Sequence, residues 1–111
     1  MSECLFCKIL NNEIPSNRVY EDDYVYAFED INPLAKEHYL FISKNHSENF
    51  NDLSSDDLVH IHQAIKKFTS GTKLETDGYR VVTNINSFGG QTVFHTHFHV
   101  LGGEQLKGFG V

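Results

Sequence analysis

The sequence has no tryptophan, only two cysteines, and nine lysines and arginines against fifteen aspartates and glutamates. At a formal net charge of −6 it lacks the clustered cations that grip a nucleic-acid backbone, so nucleic acid is excluded as a partner. A local pocket for one nucleotide is still compatible with that charge. No stretch approaches the ~20 apolar residues of a membrane span, so no membrane partner is expected. The opening MSECLFCKIL has no basic segment leading into an apolar run of the signal-peptide kind. A cytoplasmic location follows as the expectation, and there Cys4 and Cys7 suit thiols or metal ligands better than a structural disulfide. Repeats, low-complexity tracts and linkers are absent too, so residues 1–111 read as a single domain.

What is present builds an α+β domain, with nine phenylalanines and five tyrosines to fill its core. CLFCKILNNEIPS reads as a short helix or turn stopped by Asn11, Asn12 and Pro15. NRVYEDDYVYAFED reads as two strands around an acidic turn, with Val25 and Ala27 alternating against Tyr24, Tyr26 and Phe28. DINPLAKE is a loop, HYLFISK a strand, and GYRVVTNI a further strand. SSDDLVHIHQAIKKFTSG is the long helix: Ser54 or Ser55 caps it, Asp56 and Asp57 suit its first turn, and Gly71 stops it. Leu58, Ile61, Ile65 and Phe68 form its apolar face. The tail GGEQLKGFGV is expected to be loosely held.

QTVFHTHFHV poses the functional question. In a continuous strand His95, His97 and His99 share one face, and Thr96, Phe98 and Val100 the other. Neighbouring histidines then stand ~7 Å apart at Cα and the outer two ~13 Å. One zinc with bonds of ~2.1 Å could join an adjacent pair, but not all three. Buried structural histidines, a metal site and a nucleophilic site therefore remain open. The preceding NSFGGQT narrows them. Its glycines permit positive φ and an anion-binding nest, and Gln91 and Thr92 add donors. Donors beside a nucleophilic imidazole suit attack on phosphorus.

HTHFHVL fits the pattern His-φ-His-φ-His-φ-φ, with Thr96 in a usually apolar slot, and resembles the signature of the histidine triad (HIT) superfamily. CLFCKIL, IPSNRVYEDDYVYAFEDINPLAKEHYLFISKNH and GYRVVTNINSFGGQTVFHTHFHVLGG extend the likeness over nearly the whole chain, in the family's order. GGQTVFHTHFHVLGG is most similar to the Hint branch, which acts on purine nucleoside phosphoramidates. The resemblance implies the HIT fold: an antiparallel five-stranded sheet with one long helix and a short N-terminal helix. It also implies that His97 attacks phosphorus and that a nucleotidyl-histidine is then hydrolysed to the nucleoside monophosphate. His99 would hold phosphate oxygen, His95 would support the site or bind metal, and Gln91 and Thr92 would bond near the scissile atom. Thr92 stands where the branch usually has serine.

In the same transfer Asp30 would accept the ribose hydroxyls, Asn84 and Gly90 would contact the nucleotide, and Phe28 and Ile31 would flank the base. His38 falls near the triad. Catalysis would require no cofactor, and Cys4, Cys7, His46 and His95 match a structural zinc set seen in some bacterial relatives. The resemblance further implies a homodimer, joined through long helices and sheet edges, and places Phe109 where tryptophan is often seen. Two alternatives stand beside the phosphoramidase: a dinucleoside polyphosphate hydrolase, and a non-catalytic, zinc-stabilised nucleotide-binding adaptor.

Overall fold

A computed structural model describes residues 4–108. Phe109 lies outside the described residues. The strands β1 (Arg18–Glu21), β2 (Val25–Glu29), β3 (Glu37–Ser43), β4 (Arg80–Val82) and β5 (His97–Gly102) form one antiparallel sheet in the order β1-β2-β3-β5-β4. Three helices, α1 (Leu5–Leu10), α2 (Ser55–Thr69) and α3 (Lys73–Asp77), complete the α+β fold. Among the described residues no helix is long and apolar enough to cross a membrane.

The period of two sorts the sheet's side chains into two cores. Val25, Ala27, Phe41, Phe98 and Val100 pack against Ile61, Ala64 and Ile65 of α2 on one face. Phe28, Leu40 and Ile42 pack with Phe6 and Ile9 of α1 on the other. Phe41 and Ile42 are completely buried on opposite faces, each worth about 2–3 kcal/mol of apolar burial. Ile42 pairs with His97 and Leu40 with His99, so both histidines stand on the α1 side of the central strands.

The long helix begins as expected. Ser54 accepts a hydrogen bond from the Asp57 backbone N–H, a cap worth about 1 kcal/mol. Its buried stripe differs from the expected one, because Leu58 is 36% exposed while Ala64 is fully covered. Helix α3 was not legible in advance: at five residues it spans too little for a period to show, and it rests on the Thr72 cap and buried Leu74. Strand β4 is shorter than GYRVVTNI suggested. The described part of the tail, to residue 108, is tethered: Glu104 accepts the Lys36 N–H and the Lys107 carbonyl accepts from Arg80.

The largest departure concerns the histidine stretch. β5 begins at His97, so His95 and Thr96 precede the strand and the simple alternation does not extend to His95. The cause is non-local: the Thr96 N–H bonds to the Ser47 carbonyl, in the loop after β3, instead of continuing the β3 ladder.

Candidate active site

The two strand histidines differ in what the backbone asks of them. His97 donates its Nδ1 proton to the His95 carbonyl, 2.8 Å away, which leaves the lone pair of the neutral ring on Nε2. The His97 carbonyl accepts from the Thr83 hydroxyl at 2.7 Å, which ties the start of β5 to the segment after β4. Burial lowers the His97 pKa below the ordinary imidazole value, against opposing pulls from the His95 carbonyl and Asp30. A neutral imidazole with a free Nε2 can act as a nucleophile near pH 7.

His38 and Asp30 arrange His99. The Leu34 backbone N–H donates to His38 Nδ1 at 3.1 Å, so neutral His38 carries its proton on Nε2. That Nε2–H meets His99 Nδ1 at 2.9 Å, with Asp30 Oδ2 a weaker partner at 3.5 Å. His99 therefore holds its own proton on Nε2, which takes no partner among the described residues. Burial, then the neighbouring His97 and His38, lower the His99 pKa to about 4. Burial also lowers that of His38. The His97 and His99 rings lie 5.2 Å apart, presenting a lone pair and an N–H donor side by side.

The turn before the triad has a different construction from the one anticipated. Gln91 is 6% exposed, and its amide is fully used: Nε2 donates to the Glu48 and Val93 carbonyls at 2.7 and 3.0 Å. Its Oε1 accepts from Asn86 N–H and Asn49 Nδ2 at 2.8 and 3.2 Å. Gln91 thus braces the turn, with its side-chain amide engaged within the protein. Asn84 spends its amide on the Gly89 carbonyl at 2.7 Å. Gly90 sits at φ +85°, a conformation that favours glycine. Thr92 is exposed. Asp30 uses Oδ1 to close a turn on the Asn32 N–H. Phe28 is 6% exposed and packed edge-on against Phe6, whereas Ile31 is 88% exposed.

A second cluster adjoins the triad. Cys4 Sγ lies 3.3 Å from His95 Nδ1, Cys7 Sγ 3.6 Å from His95 Nδ1 and 3.4 Å from His46 Nδ1, and the two Nδ1 atoms 3.2 Å apart. Tetrahedral zinc with bonds of ~2.0–2.3 Å spaces its ligands ~3.3–3.8 Å apart, so this donor set fits the ion. His95 gives its Nε2 proton to the Ser43 carbonyl at 2.8 Å, which turns a lone pair on Nδ1 toward the thiols. Burial and then neighbouring Cys4 push the Cys7 thiol up to about 11, so a metal-free Cys7 keeps its proton at neutral pH. Asp30, His38 and His99 also approach one another closely, but there the His38 Nε2 proton occupies the space between the nitrogens.

A HIT-domain family model matches residues 11–106. The chain belongs to the HIT family. It is 41% identical over 107 residues to a purine nucleoside phosphoramidase of Escherichia coli, covering 94% of this HIT chain and 90% of that protein. An uncharacterised HIT-like protein of Methanocaldococcus jannaschii is 46% identical over 99 residues, 88% of this chain and 77% of the other. A solved HIT family hydrolase from Clostridium thermocellum superposes with a TM-score of 0.92 at 39% identity, covering 100% and 99% of the two chains.

Several residues of this HIT site carried no sequence signal. Asn49 is 4% exposed and braces Gln91 from more than forty residues away. Ser47 clamps Thr96 through its carbonyl and through a hydroxyl contact of 2.6 Å. Phe6, between the two cysteines, packs edge-on against His97 at 5.1 Å. Each acts through partners distant in sequence, which a local motif does not expose.

Proposed function

We propose that this HIT chain hydrolyses purine nucleoside phosphoramidates through a nucleotidyl-His97 intermediate. The observation that carries the reading is the Nδ1–H of His97 donated to the His95 carbonyl at 2.8 Å, which leaves Nε2 as the attacking atom. In the first step the Nε2 lone pair forms a bond to phosphorus as the phosphorus–amine bond breaks, the departing amine takes its proton from solvent, and His99 Nε2–H donates a hydrogen bond to a phosphate oxygen. In the second step water attacks phosphorus, the His97–phosphorus bond breaks, and the water's proton passes to solvent. Thr92, exposed at the mouth of the turn, would meet the leaving group, and Asp30 Oδ2 would accept from the ribose. The likeness to the E. coli phosphoramidase supports this choice of substrate.

Cys4, Cys7, His46 and His95 would hold zinc as a structural ion, which would add folding free energy and take no part in the chemistry. A homodimer would suit the open sheet edge at β4, where Val81 is 45% exposed.

The test is hydrolysis of an adenosine phosphoramidate by the wild type beside His97→Ala at matched metal content. Turnover is expected to fall by several orders of magnitude in the variant. An acid-quenched nucleotidyl adduct should form on the wild type alone. AMP binding without turnover in either protein would put the adaptor reading in its place.

A further inference from the structure

We propose that the Cys4–Cys7–His46–His95 centre positions the nucleophile, and that Phe6 is the positioning residue that carries its geometry to the His97 ring. The proposal rests on the reading of His97 as nucleophile and of the four-residue set as a zinc site. Two routes join the centres. His95 contributes its imidazole to the first, while its carbonyl fixes the tautomer of the nucleophile in the second. Phe6 sits within the Cys4–Cys7 span, is 4% exposed, and meets the His97 ring at 5.1 Å and 89° and the His95 ring at 5.9 Å and 69°.

Helix α1 has six residues, too few to persist alone in water. Its N-terminal end is held by the Cys4 thiol, which accepts the Cys7 N–H at 3.3 Å, and by the contacts of both thiols with His46 and His95. The Ser47–Thr96 clamp joins the two residues that directly follow His46 and His95. Releasing the centre frees α1, draws the Phe6 edge away from His97, and loosens the carbonyl that receives the His97 Nδ1 proton. The ring then samples both tautomers. Asp30, His38, His99 and Thr92 do not touch the centre, so nucleotide binding survives while the attacking atom loses its aim.

The experiment compares the full chain loaded with zinc, the same chain stripped by a chelator, and Phe6→Leu, at about pH 7.5. Zinc content, the ¹⁵N shifts of the His97 ring, AMP affinity and phosphoramidate kcat are read on each. Stripping and Phe6→Leu should each lower kcat by about 10-fold or more and mix the His97 tautomers, while the AMP Kd moves by less than about 2-fold. Phe6→Leu should still hold one zinc per chain. If stripping unfolds the protein, His46→Ala, which removes one exposed ligand without altering the sequence of α1, should reproduce the result. A His97 tautomer indifferent to zinc overturns the proposal, as does wild-type kcat in Phe6→Leu, or a chain that takes up no zinc. A zinc-dependent tautomer in a chain without turnover would uphold the positioning and remove the reaction assigned above.

Discussion

Replacing Gln91 by alanine separates a brace from a ligand. The buried amide makes four hydrogen bonds, to Glu48 O, Val93 O, Asn86 N–H and Asn49 Nδ2. A typical net value of about 1 kcal/mol per bond gives an upper figure near 4 kcal/mol. Glu48 and Asn86 are exposed, so water can enter and satisfy part of what is lost. We therefore expect a loss of about 2–3 kcal/mol, or a Tm lower by about 10–15 °C for a chain of this length. Scanning calorimetry on Gln91→Ala measures this, and Gln91→Glu sharpens it. The carboxylate would face the Glu48 and Val93 carbonyls and be destabilised at neutral pH, with partial recovery as acid protonates it. Activity should fall with the turn's loss of shape. A Tm within about 2 °C of wild type, with KM selectively raised, would refute the brace and return Gln91 to the substrate.

Three further outcomes follow from named contacts. His38→Ala removes the N–H that fixes His99, and kcat should fall by about 10–100-fold with a smaller change in AMP affinity. His38→Gln, which retains an N–H donor, should recover part of it, and steady-state kinetics decide both. His99, held at about 4 in the folded chain, stays neutral while an unfolded histidine takes up its proton below about 6.5. The stability tied to this group is thus whole above about pH 6.5 and drains as pH falls toward 4, by about 1–2 kcal/mol given the solvent that reaches the ring. Urea titrations across that range should show the loss in wild type and a smaller one in His99→Asn. Gly102→Ala would set a Cβ 2.5 Å from Leu74 Cδ2, and Leu74 is 3% exposed with no room to yield. Overpacking there should cost about 1–3 kcal/mol by denaturant unfolding.

Elements whose logic is local were legible from residues alone. Ser54, the paired aspartates and Gly71 bounded α2, and the alternation of Val25 and Ala27 against Tyr26 and Phe28 placed β2 on its correct faces. Even there, periodicity could not tell that Leu58 is left exposed, because what covers each position of the helix is set by other segments. His97 and His99 were readable for the same local reason, with Leu40 and Ile42 opposite them in β3. His95 was not. Its position depends on β3 ending at Ser43 and on Ser47 capturing Thr96. Gln91 resembled a substrate ligand because its partners, Glu48 and Asn49, lie in a loop that only the fold brings beside it.

The neighbouring histidines also show how one side chain acquires several chemistries. A neutral imidazole has one donor and one acceptor nitrogen, so committing either to the backbone dictates the other. His95 commits Nε2–H to Ser43 O and turns its Nδ1 lone pair toward the Cys4 and Cys7 thiols. His97 commits Nδ1–H to His95 O and keeps an Nε2 lone pair. His38 accepts Leu34 N–H at Nδ1, becomes a donor at Nε2, and in turn makes His99 a donor at its own Nε2. Burial holds all four rings toward the neutral form in which this sorting has meaning. The same sorting separates the two histidine-bearing clusters. Lone pairs converge among Cys4, Cys7, His46 and His95, whereas a proton already fills the 2.9 Å between His38 and His99. The tautomers of His95, His97 and His99 are therefore set by three backbone groups, Ser43 O, His95 O and Leu34 N–H, and a substitution that moves any of these segments changes which nitrogen carries the lone pair without touching a histidine.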